Sequence, residues 1–181
     1  MKTIKRKISK RNTWIISAVI GLAIIGIGSY EIYINIGSYE VKQLVSENPK
    51  EAVQQAAKIE GIRYSTGLTG SSTEDDVLNV MNKMCHQKIE ASEKWGAIPM
   101  IPDTINAVYN IVEASKFTDK EELLQILTKW KNNDFSSVDS DHNTVWQLEG
   151  GTVGKATGIA TPKEEAEFIL LNFGSKLTSG K

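Results

Sequence analysis

The sequence predicts an all-α protein: one N-terminal transmembrane helix, then a small globular domain of four or five helices with room for one short hairpin. Three observations carry this reading. An uncharged run, Thr13 to Tyr30 (TWIISAVIGLAIIGIGSY), directly follows six cations, Lys2, Lys5, Arg6, Lys7, Lys10 and Arg11, with no acid among them. From residue 48 onward, apolar residues recur at spacings of three and four behind residues that cap helices. No segment alternates apolar and polar residues convincingly enough to demand a sheet.

The run of 18 residues makes about 27 Å of helix at ~1.5 Å per residue, close to the ~30 Å hydrocarbon thickness of a bilayer. Residues 1–12 are therefore expected as a cytoplasmic basic arm and residues 13–37 as a span through the lipid bilayer. Positive charge at one flank and Glu31 and Glu40 at the other orient the chain with everything after the span outside the cytoplasm. Trp14 at the inner flank and Tyr30, Tyr33 and Tyr39 at the outer one sit where interfacial aromatics belong. A cleaved secretory signal is the rival for the same residues. Such signals have an apolar centre of roughly 7–15 residues, whereas this run is longer and resumes after Glu31, with Gly26-Ile27-Gly28 as its one passable cleavage site. An uncleaved anchor is expected. The single cysteine, Cys85, lies far from the run, which excludes lipoprotein processing.

Residues 38–72 read as a helical stalk and flexible joint. Asn48-Pro49 places a capping residue before a proline in the first turn, and the helix runs to Gly61 with Val53, Ala56, Ala57 and Ile59 on its apolar face. The segment GIRYSTGLTGSS, 61–72, has the composition of a loop. The extracytoplasmic domain, 73–181, opens at Ser72 or Thr73 with three acids in the first turn, where the helix dipole favours anions. Val77, Met81, Met84, Cys85 and Ile89 then form one stripe of a long helix that ends near Trp95-Gly96. A second helix from Asp103 turns Ile105, Val108, Tyr109 and Val112 inward. The third carries Leu123, Leu124, Ile126, Leu127 and Trp130 behind a Thr118/Glu121 capping box and stops at Asn132-Asn133. A fourth, from about Ser137 to Leu148, buries Val138, Val145 and Trp146. After glycines 150, 151, 154 and 158, with 152–160 as the place for a hairpin, the last helix starts at Thr161-Pro162 with a Thr161/Glu164 box. It buries Phe168, Ile169, Leu170 or Leu171, and Phe173.

Charge narrows the function. Six of the 21 Lys and Arg precede residue 12, whereas all 22 Asp and Glu follow residue 30, so residues 31–181 carry about −7. An acidic outer domain is a poor ligand for nucleic-acid phosphates. One cysteine permits no intramolecular disulfide and no four-cysteine metal site, and Cys85 in the middle of an apolar stripe reads as a small core residue.

Three segments resemble chemistry, and each departs from its template. GGTVGKAT, 150–157, has Glu149 where a phosphate loop requires its first glycine and Ala156 where it requires Ser or Thr. The glycines Gly150, Gly151, Gly154 and Gly158 read instead as a structural turn. DSDHNT, 139–144, offers oxygen ligands at Asp139, Asp141 and Asn143, but Thr144 and Gly150 stand where a calcium loop requires glycine and glutamate. The pair His86 and His142, with Asp139 and Asp141, has the residue types of an open zinc site, although no spacing joins the two histidines. No metal, cofactor or catalytic residue is assigned.

The strings MNKMCHQKIEASEKWGAIPM (81–100), DFSSVDSDHNTVWQLEGGTVGKATG (134–158) and TPKEEAEFILLNF (161–173) resemble a membrane-anchored Bacillus-type family classed as a domain of unknown function (the DUF6241 type). The resemblance covers roughly residues 73–173. It implies a Gram-positive host, an outer domain that faces the cell wall, and a dispensable thiol, since the family's pattern usually has Thr at position 85. It brings no activity. The expected function is a non-catalytic module that binds an envelope or membrane protein partner, through a surface drawn from Trp95, His86, Asp139, Asp141, His142, Asn143 and Trp146. The alternative is a metal-assisted hydrolase of the cell envelope that uses His86, His142 and an aspartate.

Overall fold

A computed structural model describes residues 37–178. The chain divides into two units, Met1–Glu40 and Val41–Lys181; of the first, only residues 37–40 are described, and they are helical. The expected span, 13–37, lies outside the described residues except for Gly37. No helix among the described residues is long and apolar enough to cross a membrane.

The second unit is mostly helical, with one two-stranded antiparallel sheet. After a helical segment, 41–47, the elements are α1 (Pro49–Ala56) with a 3-10 turn (Ala57–Gly61), α2 (Glu74–Cys85), β1 (Ile89–Ala91), α3 (Pro102–Ala114), α4 (Lys120–Lys131), α5 (Val138–Leu148), β2 (Ala156–Ile159) and α6 (Pro162–Thr178). Two apolar clusters hold them. The larger joins α2, α3, α4 and α5 around Met81, Met84, Leu123, Leu127 and Trp130. The smaller joins α1 to α6 through Ala52, Ala56, Ile59, Ile169 and Phe173.

The helical part of the expected stalk thus packs against the C-terminal helix. Ala52 and Ala56 make this approach close, because their small side chains let α1 lie flat on α6. The glycine-rich segment after it is tied down at both ends: Tyr64 meets Phe173 edge to face at 6.0 Å, and Leu68 packs on the larger cluster. Ser65, Thr66 and Ser72 hydroxyls accept backbone N–H groups of Gly67, Leu68 and Thr69, which is how serine and threonine stabilise turns.

Helix ends follow capping chemistry, with one substitution of partners. Thr73 and Asp76 form a reciprocal box, as do Thr161 and Glu164. The expected Thr118/Glu121 box does not form. Glu74, in the first turn of α2, reaches across and accepts the N–H groups of Thr118 at 3.1 Å and Asp119 at 2.8 Å. One carboxylate therefore serves two helix N-termini. At the other end of α4, Asn133 adopts φ 57°, and the N–H groups of Asn133 and Asp134 donate to Trp130 and Lys129 carbonyls at 3.0 and 2.9 Å. This is a Schellman closure with asparagine in the left-handed position.

The long helix expected to run to Trp95 stops ten residues earlier. Lys88 N–H closes a turn onto Cys85 O at 2.8 Å, and Ile89–Ala91 becomes a strand paired with Ala156–Ile159. The expected local hairpin over 152–160 is replaced by this pairing between segments about 65–70 positions apart. Ile89 is buried as expected, but from a strand. Buried Gln87 also resists helix continuation, because its side chain accepts Met100 N–H at 2.9 Å and donates to Glu165 at 3.1 Å.

Candidate functional site

An open groove of about 540 Å³ lies between the C-terminal half of α2, the segment 93–96 after β1, and the chain from Trp146 to Gly154. Helical spacing puts Asn79, Asn82 and Lys83 together on the polar face of α2; Lys83 donates to Asn79, and Asn82 donates to Glu149 at the end of α5. Across from them stand Glu93 and Trp95. Trp95 is 70 % exposed, far from the usual fate of an indole.

The second tryptophan is held in place by its own loop. Trp146 Nε1 donates to Val153 O at 2.8 Å, and Gly151 N–H returns to Trp146 O at 2.8 Å. A Cβ at Gly151 would lie 2.3 to 2.5 Å from the indole ring, so this position must be bare. Gly154 has φ +87° and leaves no room for a Cβ, which would fall 2.7 Å from Glu93 O. Gly150 also has positive φ, at +71°, in open space. Gly158 differs: it sits in β2 opposite Glu90 with ordinary space around it, so it is not part of the turn. Asn143 finishes the loop. Its amide accepts Ala156 N–H at 2.8 Å and donates to Ala156 O at 3.1 Å, occupying the β2 edge as a strand would.

The histidines meet beneath this surface. Their ring centroids are 5.9 Å apart, although no spacing in the sequence announces it. His86 is 4 % and His142 1 % exposed; His86 still lines the floor of the groove, whereas His142 lies behind it. His86 Nδ1 donates to Gly96 O at 2.8 Å, which fixes its neutral tautomer and anchors the turn beside Trp95. Burial pushes its pKa down from 6.5 to about 4, reinforced by His142, Lys94 and Lys83 and opposed by the Gly96 carbonyl. Burial lowers His142 as well, with Lys94 adding to the shift and Asn143 opposing it. The Cys85 thiol is pushed well up, first by burial and then by the charges of Asp141 and Glu149. A buried, protonated thiol is a core residue.

Asp141, 3 % exposed, is also removed from the surface. Its carboxylate accepts the Trp130 indole N–H at 3.0 Å and the Lys129 ammonium, which ties α4 to α5. The candidate calcium residues Asp139, Asp141 and Asn143 all lie in helix α5 rather than on a loop, and two of them are committed to other partners. Asp141→Ala should therefore destabilise the fold by about 2 kcal/mol, since it strands a buried indole N–H. Asp141→Asn should cost less because an amide oxygen still accepts, and urea denaturation of the two variants measures the difference.

The expected surface is thus divided. Trp95, Trp146, the turn glycines Gly150, Gly151 and Gly154 and, at its floor, His86 line one groove, Asn143 braces it, and His142 and Asp141 are internal. Asn79, Asn82, Lys83, Glu93 and Glu149 were missed, because in sequence they are indistinguishable from a solvated helix face and loop. A second cavity, about 300 Å³, lies between α1, α3 and α6. Polar groups on its wall are bonded to one another: Glu165 accepts from both buried Gln87 and half-buried Lys88.

Fold and site together define a small, mostly helical domain with one open, two-tryptophan groove. Residues 81–170 match the model of a family of unknown function (DUF6241), and the domain built on them belongs to that family. No curated protein and no solved structure matches the chain.

Proposed function

We propose that the protein is a single-pass, membrane-anchored helical domain that acts outside the cytoplasm and binds an envelope or protein partner without catalysing a reaction. The observation that carries the binding part is Trp95, 70 % exposed on a groove that also holds Trp146. An indole left in water forfeits about 25 cal/mol for each Å² of apolar surface, and tryptophans supply a large share of binding energy at interfaces. Docking at this groove recovers that energy. The membrane part rests on the six cations and the apolar run behind them, and the outer location on the charge asymmetry across that run.

The hydrolase reading has one observation in its favour, the contact of His86 with His142. Asp141 is turned away to Trp130 and Lys129, and among the described residues no three His, Cys, Asp or Glu side chains are placed to share a metal ion. Elemental analysis decides between the readings: stoichiometric zinc, with stability lost to a chelator, restores the hydrolase.

Cross-linking in intact membranes followed by capture of the protein tests the binding reading. A specific adduct is expected with the native chain and not with Trp95→Ala; recovery of the protein alone overturns it. Orientation is tested separately with a reporter that works only outside the cytoplasm. It should be active when fused after Lys181 and silent at the N-terminus, and neutralising Lys5, Arg6, Lys7, Lys10 and Arg11 should weaken that bias.

A further inference from the structure

We propose that the groove between Trp95 and Trp146 binds a neutral glycan chain. This rests on the reading of the groove as the binding surface and adds the chemistry of the ligand. A pyranose ring has an apolar C–H face and a rim of hydroxyls, each both donor and acceptor. The groove offers the complement of both. Trp146 has its N–H committed to Val153 O, so what remains for a ligand is flat apolar ring surface. Trp95 adds a second, exposed ring at the rim. Around them, Asn79 accepts from Lys83 through its oxygen and offers its amide N–H groups, Asn82 donates to Glu149 and offers its amide oxygen, and Glu93 and Glu149 supply carboxylate acceptors.

The other occupants fit less well. A peptide strand requires an open sheet edge or apolar sockets for anchor side chains. The β2 edge is taken by β1 on one side and by the Asn143 amide at Ala156 on the other, and glycines 150, 151 and 154 leave bare backbone where sockets would be lined. A polyanion meets two carboxylates against one ammonium, Lys83, in the groove, on a domain of net negative charge. The volume, about 540 Å³, falls in the ~300–1,000 Å³ range of small-ligand sites, and openness to solvent suits a polymer that enters and leaves. Trp146 is already fixed by Gly151 and Val153, so little ordering remains to be done on binding.

The test uses the full-length chain in a detergent without a sugar headgroup. β-1,4-linked hexamers of glucose and of N-acetylglucosamine are titrated while tryptophan emission and heat are followed. Saturable binding of at least one hexamer is expected. Trp95→Ala, at an exposed position that leaves the core intact, should weaken it at least about tenfold, Trp95→Phe should restore part of the loss, and Lys155→Ala should change nothing. Binding of neither hexamer, or equal binding by Trp95→Ala, overturns the glycan assignment. If membrane cross-links remain dependent on Trp95 in that case, only the ligand class falls; if they do not, the binding surface falls with it.

Discussion

Gly154→Val should destabilise the domain by about 3 kcal/mol or more, whereas Lys155→Ala, one residue on, should leave stability within about 0.5 kcal/mol. Valine at φ +87° is strained by itself, and its Cβ would sit 2.7 Å from the Glu93 carbonyl oxygen, backbone that cannot swing aside. Gly151→Val should cost about 1–3 kcal/mol by a different route, by forcing the Trp146 indole off its bond to Val153. Gly150→Ala meets only backbone strain, and Gly158→Ala, with a normal φ and free space, should be tolerated. Lys155 is exposed. A phosphate-binding loop makes the reverse prediction, with Lys155 dominant. Thermal melts with and without excess phosphate separate the two, and a ligand-induced rise in Tm abolished by Lys155→Ala contradicts the structural reading.

Acid should unfold the domain in a window set by the buried histidines. The folded pKa of His86 is about 4 against 6.5 unfolded, so between these values the unfolded chain holds more protons and stability rises with pH. The contribution is fully present above about pH 6.5 and is lost as pH falls towards 4. For His86 alone it amounts to about 3 kcal/mol; His142 is shifted in the same direction and adds to it. The carboxylates held low by capping and turn hydrogen bonds, Asp76, Asp134 and Glu164, act in the same direction but below the usual carboxylate range. Urea midpoints at pH 7.5, 6 and 5 isolate the histidine part. The slope should shrink by up to about 1.4 kcal/mol per pH unit in His86→Gln. An unchanged slope in that variant means that folding does not shift the titration of His86.

Periodicity and capping located the starts of α3, α4, α5 and α6, and the ends of α4 and α5, to within a residue or two, because each buries one apolar stripe behind a recognisable first turn. The same logic failed at 86–95. Those residues have adequate helix propensity, and what diverts them is tertiary: Gln87 binding Met100 and Glu165, and β1 pairing with a strand about 65–70 positions downstream. Glu74 capping α4 is invisible for the same reason, as a Thr118/Glu121 box satisfies the local pattern while a distant carboxylate supplies the partner. Trp95 and Trp146 were legible as candidates by residue type alone. Their separation from His142 and Asp141, and the place of His86 at the floor of the same groove, were not, since sequence spacing does not say which polar residues are internal.

Binding at the tryptophan groove can be read directly. A photo-cross-linking side chain placed at Val153, half exposed on the groove, and separately at exposed Lys116, which lies outside it, tests this in intact cells. Adducts are expected from position 153, abolished by Trp95→Ala, and none from position 116. Equal labelling from both positions, or none from 153, contradicts binding there.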